Sequence, residues 1–504
     1  MLALVITFVM IVAAYSWLMT HLAWKRALQE TGFIDEMPGL LPTDRILIFA
    51  PHPDDESLGC AGVIRQAVAA GAEVHVVLMT NGDAAELSLI FGERELSYSP
   101  RAFINLGITR QNETLRAMAL LGLPAERVHF LGYPNNGLVA MWRPEHWFYS
   151  TPYQSPYTLT SFSPYARTFT PQAPYCGQQV LADLMTLLHQ VRPTKIFVVH
   201  PQDVHPDHWA TYCFVRYALE TIRLRTALAA SHTPGAALWA RDVEVYGFLI
   251  HWPGYPVPRK PAPALDLLPP PELIGKPNGQ ADRRPWFRLP LSSADTKVKL
   301  QAIMTYRSQE PSFDRLLTAF ARQNESFERL PVVNLQPLET ATAQPSSVLP
   351  FSAQWVLQHR PRRKLGGADL TSLTLKVQDN LVLQAEMTGL RRPIPVAGYI
   401  ALDLRTWDSS GQPVITTIYI RPTSHGGAAL AGALRAGPGA TSRPIPVLLS
   451  TPEPGRLVLS GVPLPGDSFA RTRLFLSCWG SDRDRLTDPL TAAPLDYAPL
   501  PEGE

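Results

Sequence analysis

The sequence is poor in cysteine. It has four in 504 residues, Cys60, Cys176, Cys213 and Cys478. They lie far apart and form no CxxC pair, which argues against a thiolate zinc site and a disulfide framework. Lone buried thiols in a reducing compartment are the simplest reading. A dominant charge is also missing. The 45 basic residues are matched by 43 acidic ones, and no Lys/Arg block occurs, so nothing favours a nucleic-acid partner. Charged residues make up only 17% against 46% hydrophobic, which excludes a disordered chain. No GxGxxG or Walker sequence follows an apolar run, so a nucleotide site loses support. Proline, in contrast, is abundant: the 49 residues are close to double the average of ~5%. Such a chain is rich in loops and cannot be a helical bundle throughout.

Residues 1–22 contain no Lys, Arg, Asp or Glu. About 20 such residues span a bilayer. Trp17 and Trp24 suit the interface, and Lys25 and Arg26 follow at once. A cleaved signal would want a basic start and a small-residue cleavage site, and neither is in place. The expectation is a transmembrane anchor over residues 1–24. The basic flank behind it predicts a single-pass membrane protein whose remainder is cytoplasmic.

The pattern then alternates. Apolar runs at 45–50, 73–80, 128–131, 195–200 and 243–250 read as strands. Segments 58–70, 110–121, 178–191 and 207–228 read as helices, and two more, 297–306 and 315–328, close the unit. This order predicts an α/β fold over residues 40–335, a Rossmann-like parallel sheet with helices on both faces. Residues 142–175 form a long loop with ten aromatics, either packing the loop down or walling a sugar site. Residues 336–369 read as a polar, Pro-containing linker. From 370 to 504 the period becomes two, as in SLTLKVQ, GYIALDLRTW and VITTIYIRP, and a C-terminal antiparallel β-sandwich is expected.

In a parallel α/β sheet the reactive groups belong at the carboxyl ends of strands. Two polar clusters stand there, Pro51-His52-Pro53-Asp54-Asp55-Glu56 and His200 to His208. On a tight turn, His52 and Asp55 can face one metal while Asp54 points elsewhere, free to act as a base. The second cluster, His205-Pro206-Asp207-His208, supplies another imidazole. Two His and one carboxylate leave one coordination position open, as in a catalytic zinc site. His251 also follows a strand and is either a substrate contact or a packing residue. His75 and His129 sit within strands and read as structural. Gln309 and Glu325 have no assigned role.

The stretch PHPDDESLG together with HPQDVHPDH resembles the PIG-L / LmbE-like family of zinc-dependent N-acetylglucosaminyl deacetylases. The segment from Thr109 to Glu113 with Ala117 is similar to that family's R-x-x-E helix, and FLGYPNNGL to its LGYPDGGL strand end. The likeness covers about residues 44–330. It implies Zn2+ held by His52, Asp55 and His208, with Asp54 as general base. It implies that His205 stabilises the oxyanion or protonates the leaving amine. Arg110, oriented by Glu113, and Asn135 would contact the substrate, Asn135 standing where the family usually has Asp. Asp203 and Asp207 flank His205, where negative charge would raise its pKa, and for Asp203 the alternative is a plain turn-forming role. The activity implied is removal of acetyl from an N-acetylglucosamine-type sugar in a lipid-linked or polymeric glycoconjugate. The alternatives are a zinc amidase for a non-sugar amide and an inactive glycan-binding module.

Overall fold

The structure, a computed structural model, describes residues 34–84, 99–232, 239–274, 286–309 and 314–330, scattered helical positions between 10 and 29, and strands between 333 and 496. In that last region side chains are described at 402–405 and 413–419. The expected membrane anchor over residues 1–24 falls largely outside the described residues. Among the described residues no helix is long and apolar enough to cross a membrane.

The first part is a mixed α/β unit. Its strands are β1 (Asp35–Glu36), β2 (Arg45–Ala50), β3 (Glu73–Thr80), β4 (Val128–Tyr133), β5 (Lys195–Val199), β6 (Glu244–Phe248), β7 (Trp286–Pro290) and β8 (Asn324–Arg329). They form one sheet in the order β1-β7-β8-β6-β5-β2-β3-β4. Strands β2 to β6 run parallel, and β8 is antiparallel to both its neighbours. Behind a basic first residue, Arg45 or Lys195, the central strands β2 and β5 are apolar runs because helices cover both faces. Successive strands leave β2 on opposite sides, β3 on one and β5 on the other. This is the switch point at which parallel α/β sheets hold their ligands.

Local signals set the helices. Helix α1 (Asp55–Ala70) ends at Gly71, which takes the left-handed φ of 83° and returns backbone N–H bonds to Ala67 and Val68. Helix α2 (Pro100–Leu120) starts on Ser99, whose side chain accepts the Ala102 N–H, with proline in the first turn. Three further helices matter for the site: α3 (Leu138–Trp142), α4 (Gly177–Val191) and α5 (Pro206–His232). Helix α6 (Ser293–Ile303) carries a reciprocal Ser292–Asp295 capping box.

One expected helix is absent. Residues 315–328 hold only a short helical turn, Asp314–Thr318, followed by β8. The segment is anchored instead by buried polar pairs. Glu325 accepts from the Gly62 and Val63 N–H groups and from Lys299 at 2.7–3.1 Å. Its period-two alternation is masked because β8 is buried on both faces.

The span read as a linker includes strands. Residues 336–369 contain β10 (Gln336–Pro337) and β11 (Ala353–Gln358), and β11 pairs along its length with β12 (Ser372–Gln378). Two further sheets follow, of six and seven strands, almost entirely antiparallel. The seven-stranded one includes β14 (Gly398–Trp407) and β15 (Pro413–Pro422), and its short edge strand β9 (Val333–Asn334) is the sole parallel member.

Candidate metal centre

The turn after β2 and the start of α5 meet at the switch point. His52 sits on the turn, Asp55 opens α1, and His208 lies in the first turn of α5. Their nearest atoms form a small triangle. His208 Nε2 is 3.1 Å from Asp55 Oδ2 and 3.2 Å from His52 Nδ1, and the third edge, His52 Nδ1 to Asp55 Oδ2, is 3.3 Å. A tetrahedral ion with bonds of ~2.0–2.1 Å has ligand–ligand edges of about 3.3 Å. The three residues expected as metal ligands therefore already present one face of such a tetrahedron.

The surrounding charges suit a cation. Burial opposes charge on His208, yet the Asp203 and Asp55 carboxylates outweigh it and push its pKa well up. Burial likewise opposes charge on His52, and Asp207 and Asp55 overcome it. Asp55, despite burial, is held well below the ordinary carboxylate range by His208 and His52. Two carboxylates stand behind the two rings. Asp203 Oδ2 is 3.2 Å from His208 Nδ1 and also accepts the Ile250 and His251 N–H groups. Asp207 Oδ2 is 3.3 Å from His52 Nε2. Such outer carboxylates fix the orientation of ligating imidazoles.

Asp54 stays outside the triangle. Its backbone has φ 121° and ψ −32°, a region that costs a non-glycine residue about 1–3 kcal/mol. Three hydrogen bonds hold it there. Glu56 accepts the Asp54 N–H at 3.1 Å, and Arg110 donates to the Pro53 carbonyl at 2.5 Å and to Asp54 Oδ2 at 3.2 Å. Arg110 also donates to the Gly82 carbonyl at 3.1 Å, and Gly82, at φ 65°, is where a side chain would occupy the place of the guanidinium. Burial pushes Asp54 up to about 8, against the pull of Arg110, and Asp55 and Glu56 add to the rise. A carboxyl with its pKa lifted toward neutrality is suited to general-base work.

Several expectations need revision. The Asp203 carboxylate meets the His205 backbone rather than its ring, and the net push on the His205 pKa is down rather than up. Asp203 accepts the His205 backbone N–H, and His205 Nδ1 accepts the Asp207 N–H at 3.2 Å. Burial first, then the rings of His52, His208 and His251, push His205 well below its usual pKa. It is a neutral imidazole whose Nε2 keeps the proton. Glu113 does not orient Arg110 directly: both its oxygens accept from Ser308, at 2.9 and 2.6 Å. The next residue, Gln309, faces Arg110. With the amide oxygen turned to the guanidinium, it accepts at 3.0 and 3.1 Å.

Asn135 is buried on the turn after β4, and its N–H donates to Asp83 at 3.0 Å. On the same turn the N–H groups of Asn136 and Leu138 donate to Asp207 at 2.6 and 3.2 Å. The FLGYPNNGL turn thus secures the carboxylate behind His52. Tyr165, from the aromatic loop, donates to the other Asp83 oxygen at 2.6 Å. Many of the loop aromatics, including Trp142, Trp147, Tyr165 and Tyr175, are buried and pack the loop down.

His251 belongs with the centre. Its ring centroid is 4.7 Å from that of His208 and 5.3 Å from that of His205. Donor atoms of Asp55, His208 and His251 lie within 4.8 Å of one another, as do those of His52, His205 and His208. His75 and His129 stand elsewhere on the sheet, ring nitrogens 2.9 Å apart. Two residues had no role assigned from the sequence. Glu56, fully buried, receives the Tyr306 hydroxyl and Ser57 Oγ, and burial lifts it to about 7. Tyr306 comes from beyond α6, about 250 residues away along the chain.

The match to a family model falls on the same residues. The family model described as GlcNAc-PI de-N-acetylase (PIG-L) matches residues 47–219. A 1D-myo-inositol 2-acetamido-2-deoxy-alpha-D-glucopyranoside deacetylase of Mycobacterium sp. (strain KMS) is 30% identical over 216 residues, 41% of this chain and 61% of that protein. The protein of the same name from Rhodococcus opacus (strain B4) is 28% identical over 182 residues, 35% of this chain and 53% of that one. The chain thus spans less than two thirds of the length of these curated relatives. Among solved structures, the N,N'-diacetylchitobiose deacetylase from Pyrococcus horikoshii is similar at 21% identity and a TM-score of 0.33, covering 57% of this chain and 83% of that one. The matched segment contains the donor triangle, Asp54, Arg110, the FLGYPNNGL turn and His205, and residues 47–219 are a PIG-L family domain.

Proposed function

We propose that the chain is a metal-dependent hydrolase that removes the acetyl group from an N-acetylglucosamine-type sugar. The observation that carries this reading is the donor triangle of His52, Asp55 and His208, with a strained, separately held carboxyl, Asp54, beside it. A divalent ion, zinc by the donor set, would be held by those three residues and would supply Lewis-acid charge and activated water.

The remaining steps belong to the side chains. Asp54 accepts the proton of the attacking water, and Arg110 keeps its carboxylate in place. His205 presents Nε2–H because its Nδ1 is engaged by the Asp207 N–H. It donates to the acetamide oxygen as negative charge gathers there, an interaction typically worth about 3–4 kcal/mol in such sites. Collapse breaks the C–N bond, the nitrogen receives the proton held by Asp54, and acetate and a free amine leave. Asn135, with a buried side-chain oxygen close to this turn, and Arg110 are the sugar contacts in this reading.

The substrate in this proposal is lipid-linked, presented at the cytoplasmic face, with residues 1–24 as the membrane anchor. The uncharged run of residues 1–22 followed by Lys25 and Arg26 supports that topology. The test is acetate release by the zinc-loaded protein from N-acetylglucosaminyl lipids, soluble N-acetylglucosaminides and non-sugar acetamides. Release from the sugars alone supports the proposal. Release from non-sugar amides alone makes the chain an amidase of another class, and no release from any leaves a binding module.

A further inference from the structure

The C-terminal strands reach the PIG-L domain through a buried arginine. In β14, Leu402 and Leu404 point to one face, and Asp403 and Arg405 to the other. All four are buried, and Asp403 and Arg405 are 0% exposed. The guanidinium carbon of Arg405 lies 3.4 Å from the Trp142 ring centre, 4.3 Å from that of Trp147 and 5.7 Å from that of Tyr217. One nitrogen, Nη2, donates to the Trp142 carbonyl at the end of α3. Nε donates to Asp403 Oδ2 at 2.6 Å, and the other Asp403 oxygen accepts from Thr417 Oγ1 at 2.6 Å, on β15. A cation at a helix C-terminus and over indole faces is doubly favoured.

This contact lies one short helix from the metal centre. Helix α3 begins at Leu138, the turn residue whose N–H bonds Asp207, and it ends at Trp142, which Arg405 grips. Asp207 in turn faces His52. We propose that Arg405 is a positioning residue for the metal centre. By clamping the C-terminal end of α3, it fixes the Asn135–Leu138 turn and, through Asp207, the ring of His52. The C-terminal strands then complete the site without supplying a group to it. This inference rests on the metal-site reading given above.

The test measures zinc affinity of the full-length protein by competition with a chromophoric chelator, with kcat and KM for acetate release measured alongside. In Arg405→Met the zinc Kd is expected to rise ~10-fold or more, the scale of losing an outer partner of a metal ligand. kcat should fall with KM little changed, and Arg405→Lys should recover part of both. Thr417→Val, which removes one hydrogen bond from Asp403, should shift zinc affinity in the same direction by a smaller factor, and it serves where Arg405→Met does not fold. A lowered Tm with unchanged zinc affinity and kcat in a folded variant overturns the proposal, because Arg405 is then only packing. Zinc affinity is informative whatever the substrate. If the wild type releases no acetate, the functional reading fails while the affinities still decide the role of Arg405.

Discussion

The α/β region and the C-terminal strands use buried charge differently. In the first, carboxylates and imidazoles converge on one point from β2, α1, β5 and α5, and each has a second partner behind it. The electrostatics there suits an added cation. In the second, the described buried charges, Asp403 and Arg405, neutralise one another and turn toward the aromatic loop. In the reading proposed above, the first arrangement serves chemistry and the second attachment. Removing a group from the first should abolish a reaction, whereas removing one from the second should loosen a structure and reach the reaction only through it.

The sharpest test of that contrast is within the centre. His208→Ala should remove bound zinc and all measurable turnover. Asp54→Asn should keep zinc while turnover falls ~10²–10⁴-fold, the usual loss for a general base. Metal analysis beside kinetics checks both. Full activity in Asp54→Asn, or stoichiometric zinc with full activity in His208→Ala, would refute the division of roles.

That these groups would meet was legible in the sequence because such chemistry requires fixed residue types at short spacing. PHPDDE and HPDH each place their groups within one turn, and the parallel pattern puts both at strand ends. What was not legible came from distant partners. Tyr306 reaches Glu56 from some 250 residues away, and Gln309 faces Arg110 by virtue of the chain path after α6. His205 was misjudged because sequence adjacency to Asp203 and Asp207 says nothing of where those carboxylates point. β8 was read as helix because a strand buried on both faces lacks alternation. Arg405 was hidden for the opposite reason: GYIALDLRTW alternates well, and alternation alone assigns Asp403 and Arg405 to water.

The junction between the regions is the next target. Trp142 is fully buried between Phe214, Tyr217 and Arg405. Trp142→Ala should cost about 3–5 kcal/mol, as for other large buried aromatics. Denaturant unfolding measures it. A cost near zero would show that the strands do not stabilise the aromatic loop and would break the comparison at its joint.

Dependence on pH should separate the regions too. Asp83, buried under Tyr165 and Asn135, is raised by burial from 3.8 to about 6. Its folded-state pKa lies above the unfolded value, so its stabilising contribution is full below about pH 4 and is lost as pH rises through about 6. The shift of about 2 units corresponds to about 3 kcal/mol. Relative to the wild type, Asp83→Asn should therefore gain up to about 3 kcal/mol between pH 4 and pH 8. Parallel stability curves for the two proteins would show that Asp83 does not titrate in this range.

The smallest effect belongs to a second polar contact of the strands. Tyr419 on β15 donates to Glu145 at 2.8 Å, but Glu145 is exposed. Water replaces a lost partner at such a site, so the bond should contribute no more than about 1 kcal/mol. Tyr419→Phe keeps the ring packed and removes only the hydroxyl. It should lower stability by about 0.5–1 kcal/mol and leave zinc affinity and kcat unchanged. Arg405 differs in being dry, charged and bonded to the end of α3, which is why its variants should reach the metal while Tyr419→Phe should not. Thermal unfolding and the chelator competition, run together on both variants, test this directly. If Tyr419→Phe weakened zinc binding as much as Arg405→Met, the coupling would be a general consequence of loosening the strands, and the specific path through α3 would be wrong.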